Sequence, residues 1–291
     1  MESIRYEPSP PSSIDPADLG RYTYDELQRI RDALVSIIEG SGTMLDISRG
    51  IIPGQSQINK FGFAPDFDTG DNEITIWDGA DDGNADKMVY TYSTTADITD
   101  IVSSSASDTF EVEVQGLDTD YNQVTQTKTL TGTTSVALDT ALIRVFRMKN
   151  NSGTTAVGKI QCGVGSTTTS FSTANLRAEI AIGREQTLMS IYTVPNGKTA
   201  YMTGWYFYTA GTSRSADYNI TVMARPSGGV FQIKHHGSIL DGASNEISHK
   251  YIPYPSFTEK TDIESRAQIT AVGVTAAGIS AGFDLILVDN A

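Results

Sequence analysis

Hydrophobic and polar residues alternate with a period of two along much of this chain, a pattern typical of β-strands that bury one face. The clearest example begins at Phe110, which together with Val112 and Val114 alternates with glutamate and glutamine. After a turn rich in Gly, Asp and Asn, threonines occupy every second position from Thr125 to Thr131. These residues predict a β-hairpin whose outer face is polar and rich in threonine.

Similar short patterns recur between turn signals, roughly every ten residues, which is typical of antiparallel sandwiches or barrels. The predicted strands are 74–77, 88–92, 98–102, 142–148, 158–162, 188–194, 200–208, 218–225, 230–234, 266–272 and 283–288. We therefore predict a mainly β protein with two antiparallel β-sandwich domains, preceded by a proline-rich arm and one short α-helix. The predicted boundaries are 1–22 for the arm, 23–40 for the helix, 41–54 for a linker, 55–164 for an acidic first sandwich, 165–175 for a Ser/Thr-rich linker and 176–291 for the second sandwich.

The helix prediction depends on a capping-box spacing and an apolar stripe. Thr23 and Glu26 have the T-x-x-E spacing of a helix start. Apolar residues then recur at intervals of three and four, which places one stripe on one face: Leu27, Ile30, Leu34, Ile37 and Ile38. Such a short helix must bury its stripe, either against its own domain or against equivalent helices in an oligomer. The linker-like flanking segments favour the oligomer.

The proline-rich arm has two interpretations. Its prolines remove backbone donors and favour extended conformations, so the arm can lie along the surface of another protein. A disordered tail explains the same composition equally well.

Acidic residues are concentrated in one part of the chain. Between Asp66 and Asp120 there are fifteen acidic residues and one basic residue, Lys87, which gives a local net charge of −14. The whole chain of 291 residues has the same net charge, so the remaining residues balance. Direct nucleic-acid binding is not expected, because phosphate repels such a surface. The acidic domain either keeps an assembly soluble, which we favour, or meets a basic partner.

Membrane insertion and secretion are not expected from the sequence. It contains no run of about 18 apolar residues that could form a transmembrane helix, and its N-terminus lacks the basic and apolar regions of a secretory signal. The single cysteine, Cys162, permits no internal disulfide and suits a reducing cytosol. We expect it to be a small core residue.

No catalytic or cofactor motif stands out in the sequence. A phosphate-binding G-x-x-x-x-G-K-S/T loop and a G-x-S-x-G nucleophile elbow are both absent. The adjacent histidines His235 and His236 would face opposite sides of a strand and therefore cannot readily share one metal ion. We expect neither catalysis nor a cofactor nor a metal ion.

The acidic loops offer an alternative as calcium sites. Asp82, Asn84 and Asp86 have the opening spacing of an EF-hand loop. However, Lys87 stands where that loop requires glycine, and Ser93 stands where it requires glutamate. Solvated turns are the preferred interpretation.

A continuous aromatic segment lies in the second predicted sandwich. In a strand, Trp205 and Phe207 would face one side, and Tyr206 and Tyr208 the other. Tyrosines on an outer face can stack against sugars or pack against a neighbouring subunit. Core and interface packing is the preferred interpretation, and glycan contact is the alternative.

Several short sequence segments resemble those of virion structural proteins of tailed bacteriophages, especially marine podovirus-like phages. They are ITIWDGADDG, VSSSASDT, VQGLDTDYNQVTQTKTLTG and IRVFRMKN, followed by REQTLMSIYTVPNGKTAYM and EKTDIESRA. The resemblance covers most of residues 55–290 and contains no catalytic motif. It implies a non-enzymatic, oligomeric virion component that is made in the bacterial cytoplasm and released in the particle.

On this basis we expect a head- or tail-attached fibre or decoration protein that self-associates as a trimer and contacts other capsid or tail proteins. The apolar helix stripe would be its anchor. The alternative is a receptor-binding adhesin that recognises host surface glycans through the second sandwich, with Tyr206 and Tyr208 as candidate contacts. A polysaccharide-cleaving enzyme is a third interpretation.

Overall fold

The computed structural model describes residues 24–31, 44–67, 73–80, 89–210, 217–239, 246–270 and 277–290. The chain forms two compact units, residues 1–57 and residues 58–291. Helix α1 is described over residues 24–31, α2 spans Met44–Ser48, and a short 3-10 helix spans Asp78–Ala80. Within these ranges, no helix has the length and apolar character needed to cross a membrane. The predicted arm lies outside the described residues.

The described strands are β1 (Gln55–Phe67), β2 (Ile74–Thr75), β3 (Ile98–Ser103), β4 (Glu111–Leu117), β5 (Gln123–Thr129), β6 (Val136–Leu142), β7 (Arg144–Asn150), β8 (Ile160–Val164), β9 (Leu176–Ile180), β10 (Ile191–Thr193), β11 (Lys198–Ala210), β12 (Tyr218–Arg225), β13 (Gln232–Ile239), β14 (Glu246–Lys250), β15 (Ser256–Phe257), β16 (Asp262–Ile269) and β17 (Ala277–Asp289). The protein is therefore mainly β, as predicted.

The first sandwich is built from β3 to β9. One sheet has the strand order β6-β3-β8-β9, and the other has the order β5-β4-β7. The strand pairs in both sheets are antiparallel. Apolar side chains from the two sheets meet in one buried cluster that includes Ile98, Ile101, Val112, Val114, Leu142, Met148 and Cys162. Burying each large aliphatic side chain stabilises this sandwich by about 1.5–3 kcal/mol.

The predicted threonine-rich hairpin is present as β4 and β5. Val112 and Val114 are buried, whereas the alternate threonines from Thr125 to Thr131 are exposed. Asp118 shapes the turn, because its Oδ1 accepts hydrogen bonds from two backbone N–H groups of the turn, both at 2.9 Å. Local alternation was sufficient to predict this element.

The amide side chain of Gln126 connects β5 to β6, which belong to different sheets and are also joined by an ion pair between Lys128 and Asp139 at 2.7 Å. Oε1 of the buried Gln126 accepts hydrogen bonds from the backbone N–H groups of Asp139 at 2.8 Å and Thr140 at 3.1 Å. Its Nε2 donates to the carbonyl oxygen of Thr140 at 2.9 Å. Gln126 thus supplies hydrogen bonds that a neighbouring strand would otherwise supply, and it closes this side of the first sandwich.

The second sandwich is built from β1, β2 and β10 to β17. One sheet has the order β1-β17-β11-β14, with β15 also paired to β11, and the other has the order β10-β16-β12-β13, with β2 also paired to β16. Its core includes the aromatic side chains Tyr192, Trp205, Phe207, Tyr218, Phe257 and Phe283.

The sheets divide the chain differently from the predicted boundaries. The residues of β1 and β2 were placed within the predicted first sandwich, 55–164, but β1 pairs with β17 and β2 pairs with β16. β9 was predicted within the second sandwich, but it pairs with β8 in the first. The first sandwich is therefore inserted between β2 and β10 of the second. Short period-two segments do not identify their partner strands, which is why the sequence pattern missed this insertion.

The predicted strands themselves agree more closely with the structure. β12 has the predicted bounds, Tyr218–Arg225. Residues 89–92, where a strand was predicted, contain none; instead, the Tyr90 N–H donates to Oγ1 of Thr75 at 2.9 Å. β1, β6, β9, β14 and β15 were not predicted as strands.

A buried ion network joins the two sandwiches. Asp262 on β16 accepts two hydrogen bonds from Arg144 on β7, at 2.8 and 3.1 Å. It also accepts two from Arg225, at 3.1 and 2.6 Å, and one from the Thr193 hydroxyl at 2.6 Å. Five hydrogen bonds from three side chains satisfy a carboxylate that is 3% exposed. The network ties a strand of the first sandwich to three strands of the second.

Candidate interaction surface

The second sandwich has one side on which the last strands of both its sheets lie together. Among the strands that are described, β14 ends one sheet and β13 ends the other. The two are neighbours, because the ring of His235 on β13 lies 4.5 Å from the ring of His249 on β14, measured between centroids. We call residues 230–239 and 246–254 the open edge.

An aromatic cluster lies beneath the open edge. Trp205, which is 2% exposed, is in register with His249 across the β11–β14 ladder. The ring centroid of His235 lies 4.6 Å from that of Trp205, and the ring of Tyr251 meets that of His249 edge-on at 4.7 Å. The inward alternation of β11 places Trp205 here, and the two edge strands bring the histidines to it.

The surroundings of His235 favour its neutral form. Burial lowers the pKa of His235 below its ordinary value of 6.5, and the neighbouring His249 and His236 lower it further because like charges repel. Burial also raises the pKa of the Tyr251 hydroxyl. Both shifts favour the uncharged forms of the His235 and Tyr251 side chains.

Large apolar side chains are exposed along the open edge. The exposed fraction is 74% for Val230, 58% for Ile233, 93% for Ile252 and 44% for Tyr254. Scattered apolar residues are ordinary on protein surfaces, but several on one sheet edge indicate an interaction surface.

The charges of the open edge are mainly basic. Lys234 and Lys250 lie on its two strands, against the single acidic residue Glu246. This surface therefore differs in sign from the acidic part of the first sandwich.

The predicted aromatic strand is present as β11. Trp205 and Phe207 are buried in the core, while Tyr206 is partly buried and Tyr208 is 41% exposed on the outer face. The ring of Tyr206 lies over Gly282, where a Cβ atom would come within 2.4 Å of the ring. The rings of Tyr206 and Tyr208 are 5.6 Å apart and inclined by 52°, so they do not form one flat platform.

The predicted anchor helix is described in its first two turns. Leu27 is 62% exposed and Ile30 is 37% exposed. Leu34, Ile37 and Ile38 lie outside the described residues. The assignment of this stripe to an oligomer interface stays a prediction.

Neither histidines nor carboxylates gather into a metal cluster in the part of the chain that the structure describes, where no group of three or more potential ligands occurs. His235 stacks on the core while the adjacent His236 is exposed, in agreement with the predicted opposite directions of the two side chains. Asp82, Asn84 and Asp86 lie outside the described residues. Cys162 is fully buried, and burial raises the pKa of its thiol to about 12.

Several buried charged residues were missed by the sequence reasoning. Asp262, Glu264 and Arg266 alternate along β16 and are all buried. Glu264 accepts a hydrogen bond from the Tyr92 hydroxyl at 2.9 Å, and Arg266 Nη1 lies 2.9 Å from a carboxylate oxygen of Glu73. The period-two charge pattern was the available signal, but it was indistinguishable from a solvated face.

Comparisons with known proteins add little to this description. No family model matches the sequence, and the search of curated proteins finds no match. A mitogen derived from Yersinia pseudotuberculosis is 10% identical, with 32% of this chain and 82% of the mitogen covered and a TM-score of 0.22. The VP2 subviral particle of infectious bursal disease virus is 10% identical, with 81% of this chain and 72% of VP2 covered and a TM-score of 0.22. The Gt strain of that virus gives 8% identity, 81% and 73% coverage, and a TM-score of 0.22. Scores this low support no argument about function.

Proposed function

We propose that this protein is a non-enzymatic structural component of a tailed-phage virion, a head- or tail-attached fibre or decoration protein that self-associates as a trimer. The observation that carries the proposal is the open edge. It places two terminal strands, an aromatic cluster and exposed apolar side chains on one side of a well-packed sandwich. The sequence segments that resemble phage virion proteins support the assignment to a phage particle.

The occupant that best fits the open edge is a second copy of the chain. An edge strand offers unpaired backbone groups, and its apolar side chains gain by burial against another surface. The basic open edge complements the acidic first sandwich, on which Glu111 and Asp120 are exposed. Contacts between two different surfaces of identical chains form a ring when the rotation from one copy to the next closes, and a trimer is such a ring.

The N-terminal segment is the proposed anchor. Leu27 and Ile30 are exposed on α1, so the helix has apolar surface to bury against equivalent helices or a neighbouring virion protein. Each such side chain contributes about 1.5–3 kcal/mol when it is fully buried.

The association test compares solution masses measured by light scattering on a sizing column. We expect a trimer for the full chain and a lower mass for Ile233→Lys, because a charge on the apolar open edge opposes burial. Ile182→Lys is the matched control, since this isoleucine is 61% exposed against 58% for Ile233, and lies between β9 and β10, outside the open edge and outside the acidic segment 66–120. Its mass should be unchanged, and neither variant should lower the thermal midpoint.

A monomeric full chain, or an Ile233→Lys variant with the mass of the full chain, would contradict assembly through the open edge. The anchor is tested separately with a chain that begins at Ser41. This shortened protein should keep its β fold but fail to enter phage particles, and normal incorporation would refute the anchor.

A further inference from the structure

A second surface feature lies on the first sandwich, away from the open edge. Gln161 and Glu179 point from β8 and β9 toward the outer face of their sheet, yet they are only 6% and 2% exposed. They are buried because residues 165–175, which were predicted to be a linker, fold back over the sheet. The Phe171 N–H donates to Oε1 of Gln161 at 2.9 Å.

The folded-back segment is held firmly at both ends and in the middle. The Val164 N–H donates to the carbonyl oxygen of Asn175 at 2.9 Å, and the Thr169 N–H donates to that of Thr133 at 2.8 Å. Thr169 has a φ of 71°, a left-handed conformation that is uncommon for threonine. These hydrogen bonds hold residues 165–175 in one position over the sheet.

Between this segment and the sheet there is a cavity of about 240 Å³, which we call the loop pocket. Its lining includes Lys159, Gln161, Ser170, Phe171, Thr173 and Glu179. The volume is slightly below the range of roughly 300–1,000 Å³ typical of small-molecule sites. It suits one compact ligand unit.

The lining combines one aromatic ring with polar groups whose charges cancel. Nζ of Lys159 lies 3.1 Å from Oε1 of Glu179, and Gln161 Nε2 donates to Oε2 of the same carboxylate at 2.6 Å. Ser170 and Thr173 add hydroxyl groups. The site is therefore neutral overall and offers both donors and acceptors around the ring of Phe171.

We propose that the loop pocket binds one neutral sugar residue of a glycan. Sugar hydroxyls both donate and accept hydrogen bonds, which matches the lysine, amide, hydroxyl and carboxylate groups of the lining. The C–H face of a sugar ring packs on an aromatic side chain such as Phe171. The buried carboxylate of Glu179 would repel an anionic ligand. The ammonium group of Lys159, which is paired with that carboxylate, would repel a cation. This site is independent of the assembly function proposed above.

The loop pocket also differs from the tyrosine pair that the sequence suggested for glycan contact. Tyr206 and Tyr208 present two rings inclined by 52° on an open strand face. The loop pocket would instead surround a ligand with groups from β8, β9 and the segment 165–175. We therefore assign glycan recognition to the first sandwich rather than the second.

The test begins with a glycan array probed by the full chain, followed by calorimetric titration with neutral monosaccharides found in the hits. The variants Lys159→Ala and Thr173→Val alter lining residues that are not fully buried, so both should fold. Loss of a hydrogen bond to a charged group should weaken affinity about tenfold or more for Lys159→Ala. Tyr208→Ala is the matched control and should bind like the unaltered protein.

Thermal midpoints measured alongside show whether each variant is folded. The proposal is overturned if no neutral sugar binds at millimolar concentration, or if the array and titrations show only amine-containing ligands. It is also overturned if Tyr208→Ala abolishes sugar binding while Lys159→Ala and Thr173→Val leave it intact.

Discussion

The two sandwiches of this protein treat their edges in opposite ways. In the first, the side chain of Gln126 connects β5 to β6 with three hydrogen bonds, and residues 165–175 cover the outer face of β8 and β9. In the second, β13 and β14 end their sheets side by side and expose Ile233 and Ile252.

This contrast between a closed and an open sheet edge distinguishes a surface that needs no partner from one that gains by binding a partner. A sheet edge closed by side chains cannot easily add another strand, whereas an edge with exposed apolar side chains can. The polar threonine face of β5 belongs to the closed side. In the proposed assembly the open edge of the second sandwich supplies the apolar half of the contact, and the acidic face of the first sandwich of a neighbouring copy supplies the charged half.

The largest expected effect concerns the network that joins the two sandwiches. Asp262→Ala removes the carboxylate shared by Arg144 and Arg225 and leaves the buried Arg144 and the partly exposed Arg225 without it. We expect a loss of about 3–5 kcal/mol in the free energy of unfolding. Denaturant unfolding followed by fluorescence measures it.

The matched control for this variant is Asp289→Ala, since Asp289 pairs with Lys198 but is 55% exposed. An exposed pair should contribute no more than about 1 kcal/mol. Equal losses in the free energy of unfolding for the two variants would show that the Asp262 network contributes no more than a surface ion pair.

The next effect concerns the closed edge of the first sandwich. Gln126→Ala leaves the backbone N–H groups of Asp139 and Thr140 without their side-chain acceptor, so we expect a loss of about 1–3 kcal/mol. Gln123→Ala on the same strand is the control, because Gln123 is exposed. Urea midpoints distinguish them, and a Gln126→Ala midpoint equal to the control would mean that Gln126 does not close the edge.

The smallest effect concerns the histidines of the open edge. The folded-state pKa of His235 lies below its ordinary value of 6.5, so the unfolded chain binds a proton more readily. The contribution of neutral His235 to the free energy of unfolding is therefore complete above pH 6.5, the ordinary pKa of histidine, and is lost as the pH falls through the lower folded-state pKa. The groups around His235 are His236, His249, Trp205 and Tyr251, of which the two histidines oppose its protonation.

This effect is measured as the change in thermal midpoint between about pH 7.5 and about pH 5, the interval in which histidine changes charge. His235→Gln should reduce the pH dependence, because it removes the stacked titrating ring. His236→Gln should reduce it less, since His236 is exposed. A larger reduction for His236→Gln would contradict the assignment.

The fold class and many strands could be predicted from the sequence because alternation is a local property. The hairpin of β4 and β5, the strand Tyr218–Arg225 and the inward direction of Trp205 all follow from neighbouring residues. Partner choice is not local. The pairing of β2 with β16 joins Ile74 to Ala267, far apart in the chain.

The candidate sites were less predictable for the same reason. His235 and His249 belong to different sheets, and no motif relates them along the chain. Gln161 and Glu179 resemble surface residues until the segment 165–175 is seen to cover them. The sequence marked that segment as a Ser/Thr-rich linker, which is a statement about composition rather than position.

The insertion of the first sandwich between β2 and β10 has a consequence for biosynthesis. When the ribosome has released residues up to about β9, the inserted sandwich has all its strands and can fold, because domains generally fold as units while synthesis proceeds. β1 and β2 must then wait for β16 and β17, whose distant contacts make their closure slow. The second sandwich, which carries the open edge, is thus expected to form last, so that the nascent chain presents the complete open edge only when translation is nearly finished.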